Sequence, residues 1–209
     1  MSDPGFWEDL YDRGGDGWEL GEPAPPLVSF LETTPLPAGR VAVPGCGRGH
    51  DVRFLVRRGY DAVGFDFAPA ALAAARALAS REGLPGRFEQ RDVFSLAVDH
   101  AAAFDGVWEH TCFCALDPGR RPEYVRVLEG ILRSGGWLLA CFYPMGALGG
   151  GPPFPVSEDE VRGLLAPAFR IEHATLPVRA SRGRRGQEWV VLARKRDGRL
   201  VVDGRPTAC

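Results

Sequence analysis

The stretch Val41-Ala-Val-Pro-Gly-Cys-Gly-Arg-Gly-His-Asp51 limits what this chain can fold into more than any other feature. An apolar run suited to a buried strand passes straight into a turn with glycine at positions 45, 47 and 49, and a helical pattern follows. Glycine tolerates positive φ and lets a ligand come close to the main chain. A strand, a glycine turn and a helix start, in that order, make a nucleotide-type cofactor site.

The periodicity around this turn predicts an alternation of strands and helices. Strands are expected over 40–43, 60–66, 88–91, 104–109 and 137–143, the last apolar throughout and so buried on both faces. Helices are expected over 50–58, 69–81 and 121–132, the second opening on Pro69 and loaded with alanine. Upstream, Phe6, Trp7 and Tyr11 fall at helical spacing and a short helix is expected over 27–31. Downstream, a Gly/Pro loop over 144–155 leads to a capping box, Ser157 with Glu160, and then to strands over 169–174 and 188–193. The last two strands would pair across the arginine-rich loop 179–186, read as a solvated hairpin loop. The expected fold class is α/β: a Rossmann-like, seven-stranded, mostly parallel sheet with helices on both faces and a C-terminal antiparallel hairpin strand. Residues 1–196 would form one domain, with 1–35 as an N-terminal lid segment and 197–209 as a loose tail.

Composition narrows the function classes. The chain has 209 residues and 45% hydrophobic content, enough for one domain with a sizeable core. A formal net charge of −2 gives no general attraction to nucleic acid or to an anionic membrane. No apolar run is long enough to span a bilayer, and the acidic, aromatic N-terminus is unlike a signal peptide. The five cysteines are odd in number and lack the paired spacing of a zinc site, so reduced thiols, no metal and a cytoplasmic location are expected. Cys112 and Cys114 are spaced to share one strand face.

The turn does not suit a dinucleotide, because His50 stands where the third fingerprint glycine belongs. S-adenosylmethionine, with a ribose, an adenine and a charged amino-acid end but no phosphate, fits better. Asp66, ending the second strand, suits two ribose hydroxyls. Asp92-Val93-Phe94, after the third strand, suits adenine: a carboxylate for the exocyclic amine, a backbone amide for a ring nitrogen and a ring to cover one face.

Four segments carry a resemblance to the thiopurine S-methyltransferase family of class I S-adenosylmethionine-dependent methyltransferases, within it most of all to the halide and thiol methyltransferases. They are Phe6-Trp7 through Trp18-Glu-Leu-Gly21; Val43 through Asp51; Glu109-His-Thr-Cys-Phe-Cys-Ala-Leu116 with Arg121-Pro122; and Tyr143-Pro144 with Gly150-Gly-Pro-Pro-Phe154. The resemblance spans about residues 5 to 195. It implies that Trp7 and Trp18 close over the cofactor. Gly45, Cys46 and Gly47 would line its amino-acid end, Asp66 the ribose, and Asp92 with Val93 the adenine. Glu109 would lie under the sulfonium. Most class I enzymes place an acid two residues before the first glycine; Val43 is there in this chain. Thiopurine enzymes carry an arginine after the strand-four acid, where this chain has His110, which points to the halide and thiol branch.

The implied reaction moves a methyl group from S-adenosylmethionine to a small thiol, thiocyanate, hydrosulfide or halide by in-line displacement, releasing S-adenosylhomocysteine. A dry aromatic pocket favours such a charge-cancelling step. Tyr143, at the end of the fifth strand, is the expected substrate-side residue, with Glu109 and His110 as further catalytic candidates; a ready-made anion needs no general base. Related readings are a thiopurine acceptor, a selenium or tellurium acceptor, a binding module without turnover, and a nucleic-acid methyltransferase using the arginine-rich loop. The expected partner is a small molecule, with neither nucleic acid nor membrane, and a monomer is compatible with the sequence.

Overall fold

The computed structural model describes residues 5, 8, 10, 13, 18–146 and 150–197. Trp7, with Phe6 and Tyr11, lies outside the described residues, as do 198–209 of the expected tail.

Seven strands form one sheet: β1 (Arg40–Pro44), β2 (Asp61–Asp66), β3 (Arg87–Gln90), β4 (Phe104–His110), β5 (Leu132–Phe142), β6 (Phe169–Thr175) and β7 (Trp189–Lys195). Their spatial order is β3-β2-β1-β4-β5-β7-β6. The first five run parallel, and β7 pairs antiparallel with both β5 and β6. The chain therefore lays down β6 at the sheet edge and inserts β7 between it and β5. The helices are α1 (Pro25–Thr33), α2 (His50–Arg57), α3 (Pro69–Arg81), α4 (Leu96–Asp99), α5 (Cys112–Ala115), α6 (Arg121–Ile131) and α7 (Glu158–Leu165). Among the described residues, no helix is long and apolar enough to cross a membrane.

Strand side chains alternate between the two sheet faces, and each face carries its own core. One holds Val41, Val43 and Trp108 against Leu27, Phe30, Leu55 and Leu72 of the first three helices. The other holds Ala42, Phe65, Phe104 and Val107 against Tyr124, Leu128 and Leu165. The central strands are buried on both sides because both faces are covered, which is why they read as continuous apolar runs.

Three local expectations need correction. Cys112 and Cys114 lie in α5, a single helical turn, and not on a strand; Thr111, at φ 63°, turns the chain out of β4 before the strand alternation can continue. The capping box is half-formed. Ser157 Oγ accepts from the Glu160 amide at 3.2 Å, but the Glu160 carboxylate is drawn away to the guanidinium of Arg121. The arginine-rich loop is not wholly solvated, since Arg184 is buried.

Candidate functional site

The C-terminal ends of the parallel strands open into one cleft of about 600 Å³, within the range of small-molecule sites. The sheet order lines up its walls. Asp92 and Val93 follow β3, Asp66 ends β2, the glycine turn follows β1, His110 ends β4, Tyr143 follows β5 and Arg184 precedes β7; all of them line the cleft. With neighbouring strands ~4.8 Å apart, this row spans about 24 Å.

The glycine turn is built for close approach. Gly45, Gly47 and Gly49 all sit at positive φ, at 63°, 51° and 69°. A Cβ on Gly49 would fall 2.5 Å from the Phe88 ring, so no side chain fits there. The Gly47 amide donates to Asp66 Oδ2 at 2.9 Å, and the Ala68 amide to Oδ1 at 3.0 Å. Asp66 thus braces the turn while keeping spare lone pairs toward the cleft. Its burial pushes the carboxyl above the usual range, against the pull of these amides. Asp92 Oδ1 accepts from the Phe94 amide at 3.0 Å, which caps a short 3₁₀ turn over Val93–Ser95.

His50 is committed to structure. Its Nδ1 lies 2.9 Å from Nη2 of Arg53, which can only donate, so Nδ1 accepts and Nε2 carries the proton toward Glu19 at 2.9 Å. Burial pushes the Glu19 carboxyl up, but the His50 hydrogen bond, the Gly21 amide and the charge of Arg48 together hold it below its ordinary value. This contact ties the N-terminal segment to the glycine turn beside Trp18, another cleft residue.

Glu109 does not reach the cleft. Strand alternation turns it to the opposite face from Trp108 and His110. There it borders a small void with Val125, Leu138 and Phe142, its Oε1 accepting from the Phe113 amide at 2.7 Å. Burial, outweighing the Phe113 and Cys112 amides and the charge of Arg121, pushes its carboxyl up to about 7. It stitches α5 to β4 and is not a cleft residue. His110 does line the cleft, stacked on Trp108 at 5.7 Å between centroids. Burial first, and the charge of Arg184 second, lower its pKa to about 3. It is neutral at neutral pH and a poor proton acceptor. Burial also pushes the thiol of Cys114 up to about 12 and those of Cys46 and Cys112 well above their ordinary range, so none of the three is an activated nucleophile.

Arg184 is the residue that sequence reasoning missed. Its guanidinium lies 4.3 Å over the Tyr143 ring, and its Nη1 is buried with no hydrogen-bond partner among the described residues. Glu188, fully buried, holds the loop by accepting from the Ser181 amide at 2.8 Å and stands 3.9 Å from that Nη1. Nothing local in the run Arg182-Gly-Arg-Arg-Gly186 distinguishes Arg184 from its neighbours. Pro152 and Pro153 close the same end of the cleft, held by buried Arg121, which donates to the carbonyls of Phe154 and Pro155. His110, Cys141 and Glu188 bring potential metal ligands within 4.8 Å of one another, beside Arg184, which already supplies positive charge to Glu188.

The family model described as "Thiopurine S-methyltransferase (TPMT)" matches residues 2–194. The chain is 35% identical over 167 residues to a probable thiol methyltransferase 2 of Arabidopsis thaliana, covering 78% of this chain and 72% of that one. It is 30% identical over 186 residues to thiocyanate methyltransferase 1 of Brassica oleracea, covering 86% and 81%. Its fold matches the crystal structure of the Burkholderia thailandensis 1,6-didemethyltoxoflavin-N1-methyltransferase, with a TM-score of 0.72 at 24% identity, over 93% of this chain and 87% of the other.

Proposed function

The chain belongs to the thiopurine S-methyltransferase family of S-adenosylmethionine-dependent methyltransferases, and from that footing we propose that its acceptor is a small anionic sulfur or halide nucleophile. The observation that carries this reading is the guanidinium of Arg184, which lines the cleft over the Tyr143 ring; its buried Nη1 stands 3.9 Å from Glu188 and makes no hydrogen bond among the described residues. A desolvated arginine favours an anion at that position. Relatives named as thiol and thiocyanate methyltransferases agree with it.

In this reading the cofactor lies along the strand ends. Adenine sits by Asp92, Val93 and Phe94, the ribose by Asp66, and the amino-acid end by Gly45, Cys46 and Gly47, with Trp18 closing from the N-terminal segment. The acceptor enters between Tyr143, Arg184 and the Pro152–Pro153 wall. The nucleophile's lone pair forms the new bond to the methyl carbon as the carbon–sulfonium bond breaks, and the electron pair stays on the sulfur of S-adenosylhomocysteine. The charges cancel, so a site that excludes water speeds the step. Alignment of nucleophile, carbon and sulfur supplies most of the acceleration, with effective molarities of about 10⁵–10⁸ M for well-oriented pairs. No protein group needs to take a proton, which suits a cleft whose one histidine at the acceptor end has a pKa near 3.

The test is S-adenosylhomocysteine release from S-adenosylmethionine with iodide, thiocyanate, hydrosulfide, a thiophenol and a thiopurine. Turnover highest with the small anions supports the proposal. Turnover confined to the thiopurine transfers the acceptor class to aromatic thiols, and no turnover with any of the five overturns the acceptor assignment.

A further inference from the structure

Between the glycine turn and β4 the cleft holds a carboxylate that the reaction as described does not use. Asp51, the second residue of α2, lines the cleft with its side chain 15% exposed. Its Oδ1 accepts from the Ala24 amide and its Oδ2 from Trp108 Nε1, each at 2.7 Å. Both donors are neutral. Among the described residues no arginine or lysine forms an ion pair with Asp51, and the nearby His110 Nδ1, 3.8 Å from Oδ2, belongs to an imidazole that burial keeps uncharged. Burial pushes the Asp51 carboxyl above its ordinary range. A carboxylate taken out of water without a cation is costly, and a ligand that brings one offsets the cost.

The other carboxylates of the cleft are differently placed. Glu19 is already matched by His50 and Arg48. Asp66 and Asp92 stand at the β2 and β3 end of the row. Strand β1 ends on Val43-Pro44 and offers no acid. S-adenosylmethionine carries one ammonium, on the amino-acid end, away from the adenine. With adenine by β3 and ribose by β2, that end reaches the turn after β1 and the mouth of β4, where Asp51 is the acid with no arginine or lysine ion pair among the described residues.

We infer that Asp51 receives the ammonium of the cofactor's amino-acid end, in place of an acid at the end of β1. The inference rests on the cofactor reading of the cleft given above. Each carboxylate oxygen can accept a second hydrogen bond, so the ammonium adds to the Ala24 and Trp108 contacts without displacing them. The Ala24 amide bonds to the same carboxylate, so the chain leading out of the N-terminal segment and the ligand share one anchor.

A double-mutant cycle by calorimetric titration tests this. Wild type and Asp51→Asn are each titrated with S-adenosylhomocysteine and with its deamino analogue, which lacks only the ammonium. In the wild type, loss of the ammonium should weaken binding about 10–100-fold, the usual range for a hydrogen bond to a charged group. In Asp51→Asn the two ligands should bind within about 3-fold of each other. If the substitution weakens both ligands equally, Asp51 acts only through Ala24 and Trp108, and the inference is overturned. It is also overturned if the wild type binds both ligands alike. Failure of the wild type to bind S-adenosylhomocysteine at all overturns the cofactor reading itself. Should Asp51→Asn not fold, a structure of the wild-type complex reads the same contact directly. An ammonium nitrogen within about 3.2 Å of an Asp51 oxygen supports the inference, and one beyond about 4 Å ends it.

Discussion

Three charged side chains show how burial and not residue type decides what a group does. Arg184 places a guanidinium in a cleft wall, so replacing it with methionine removes the proposed anion contact while preserving bulk. Arg184→Met should lower kcat/KM for thiocyanate about 10–100-fold and leave S-adenosylhomocysteine affinity within about 2-fold, read from initial rates and titration. Asp66 braces Gly47 and Ala68 and, in the proposed reading, also holds the ribose. Asp66→Ala should weaken cofactor binding by roughly 1.5–3 kcal/mol and also lower the denaturant midpoint; unchanged affinity would remove it from the ribose site. Glu109 is the opposite case, a carboxyl that folding prefers protonated, with its pKa raised from 4.5 to about 7. The raised value makes its contribution most favourable below the unfolded pKa. That contribution is lost as pH climbs from about 4.5 to about 7 and stays lost above. Relative to wild type, Glu109→Gln should therefore gain stability across that window, on the order of 3 kcal/mol at full ionisation. Urea unfolding of both proteins at pH 5 and pH 8 measures it, and an equal difference at both pH values would contradict the assignment.

The elements were largely legible because their signals are local. Helix α3 matches its expected limits, since Pro69 starts it and a continuous alanine-rich run carries it to Arg81. Strands β1, β2 and β4 fall within a residue or so of expectation because each is an apolar run closed by a polar or turn residue. Strand β5 begins earlier than its apolar pattern, at Leu132, because Leu132 pairs with Phe104 of β4; residues 133–136 bulge out before pairing resumes at Trp137 opposite Gly106. Helix α5 was illegible: four residues carry no helical period, and a non-glycine αL turn at Thr111 sets it up. The placement of the Gly/Pro loop depends on one residue of α6. Arg121, fully buried, donates to Phe154 and Pro155 carbonyls and to Glu160. Arg121→Met strands those acceptors, and should cost about 3–5 kcal/mol in unfolding free energy and reduce turnover by loosening the Pro152–Pro153 wall. Chemical denaturation alongside the release assay checks both.

Across the molecule, the proposed cofactor and acceptor ends fall on different parts of one sheet, the first on β3, β2, β1 and β4 and the second on β5 and β7. A ligand that spans the strand ends ties α2, the 3₁₀ turn and the N-terminal segment together. S-adenosylhomocysteine at 100 times its Kd should stabilise the protein by about 2.7 kcal/mol. For a domain of this length each kcal/mol is worth roughly 2–4 °C, so Tm should rise by about 5–10 °C in a thermal scan; no shift at that concentration would argue against binding in the cleft. By itself the sequence determined the parallel α/β order, the glycine turn, and the acids at 66 and 92, because strand ends, turns and caps are written in neighbouring residues. Only the tertiary structure decided which face of β4 receives Glu109 and which receives His110. Only it decided that β7 slots in beside β5 and carries Arg184 onto Tyr143, and that Asp51 has no arginine or lysine ion pair among the described residues. Those outcomes depend on contacts between segments far apart in the chain and on the loss of water around them, neither of which a local pattern of residue types records.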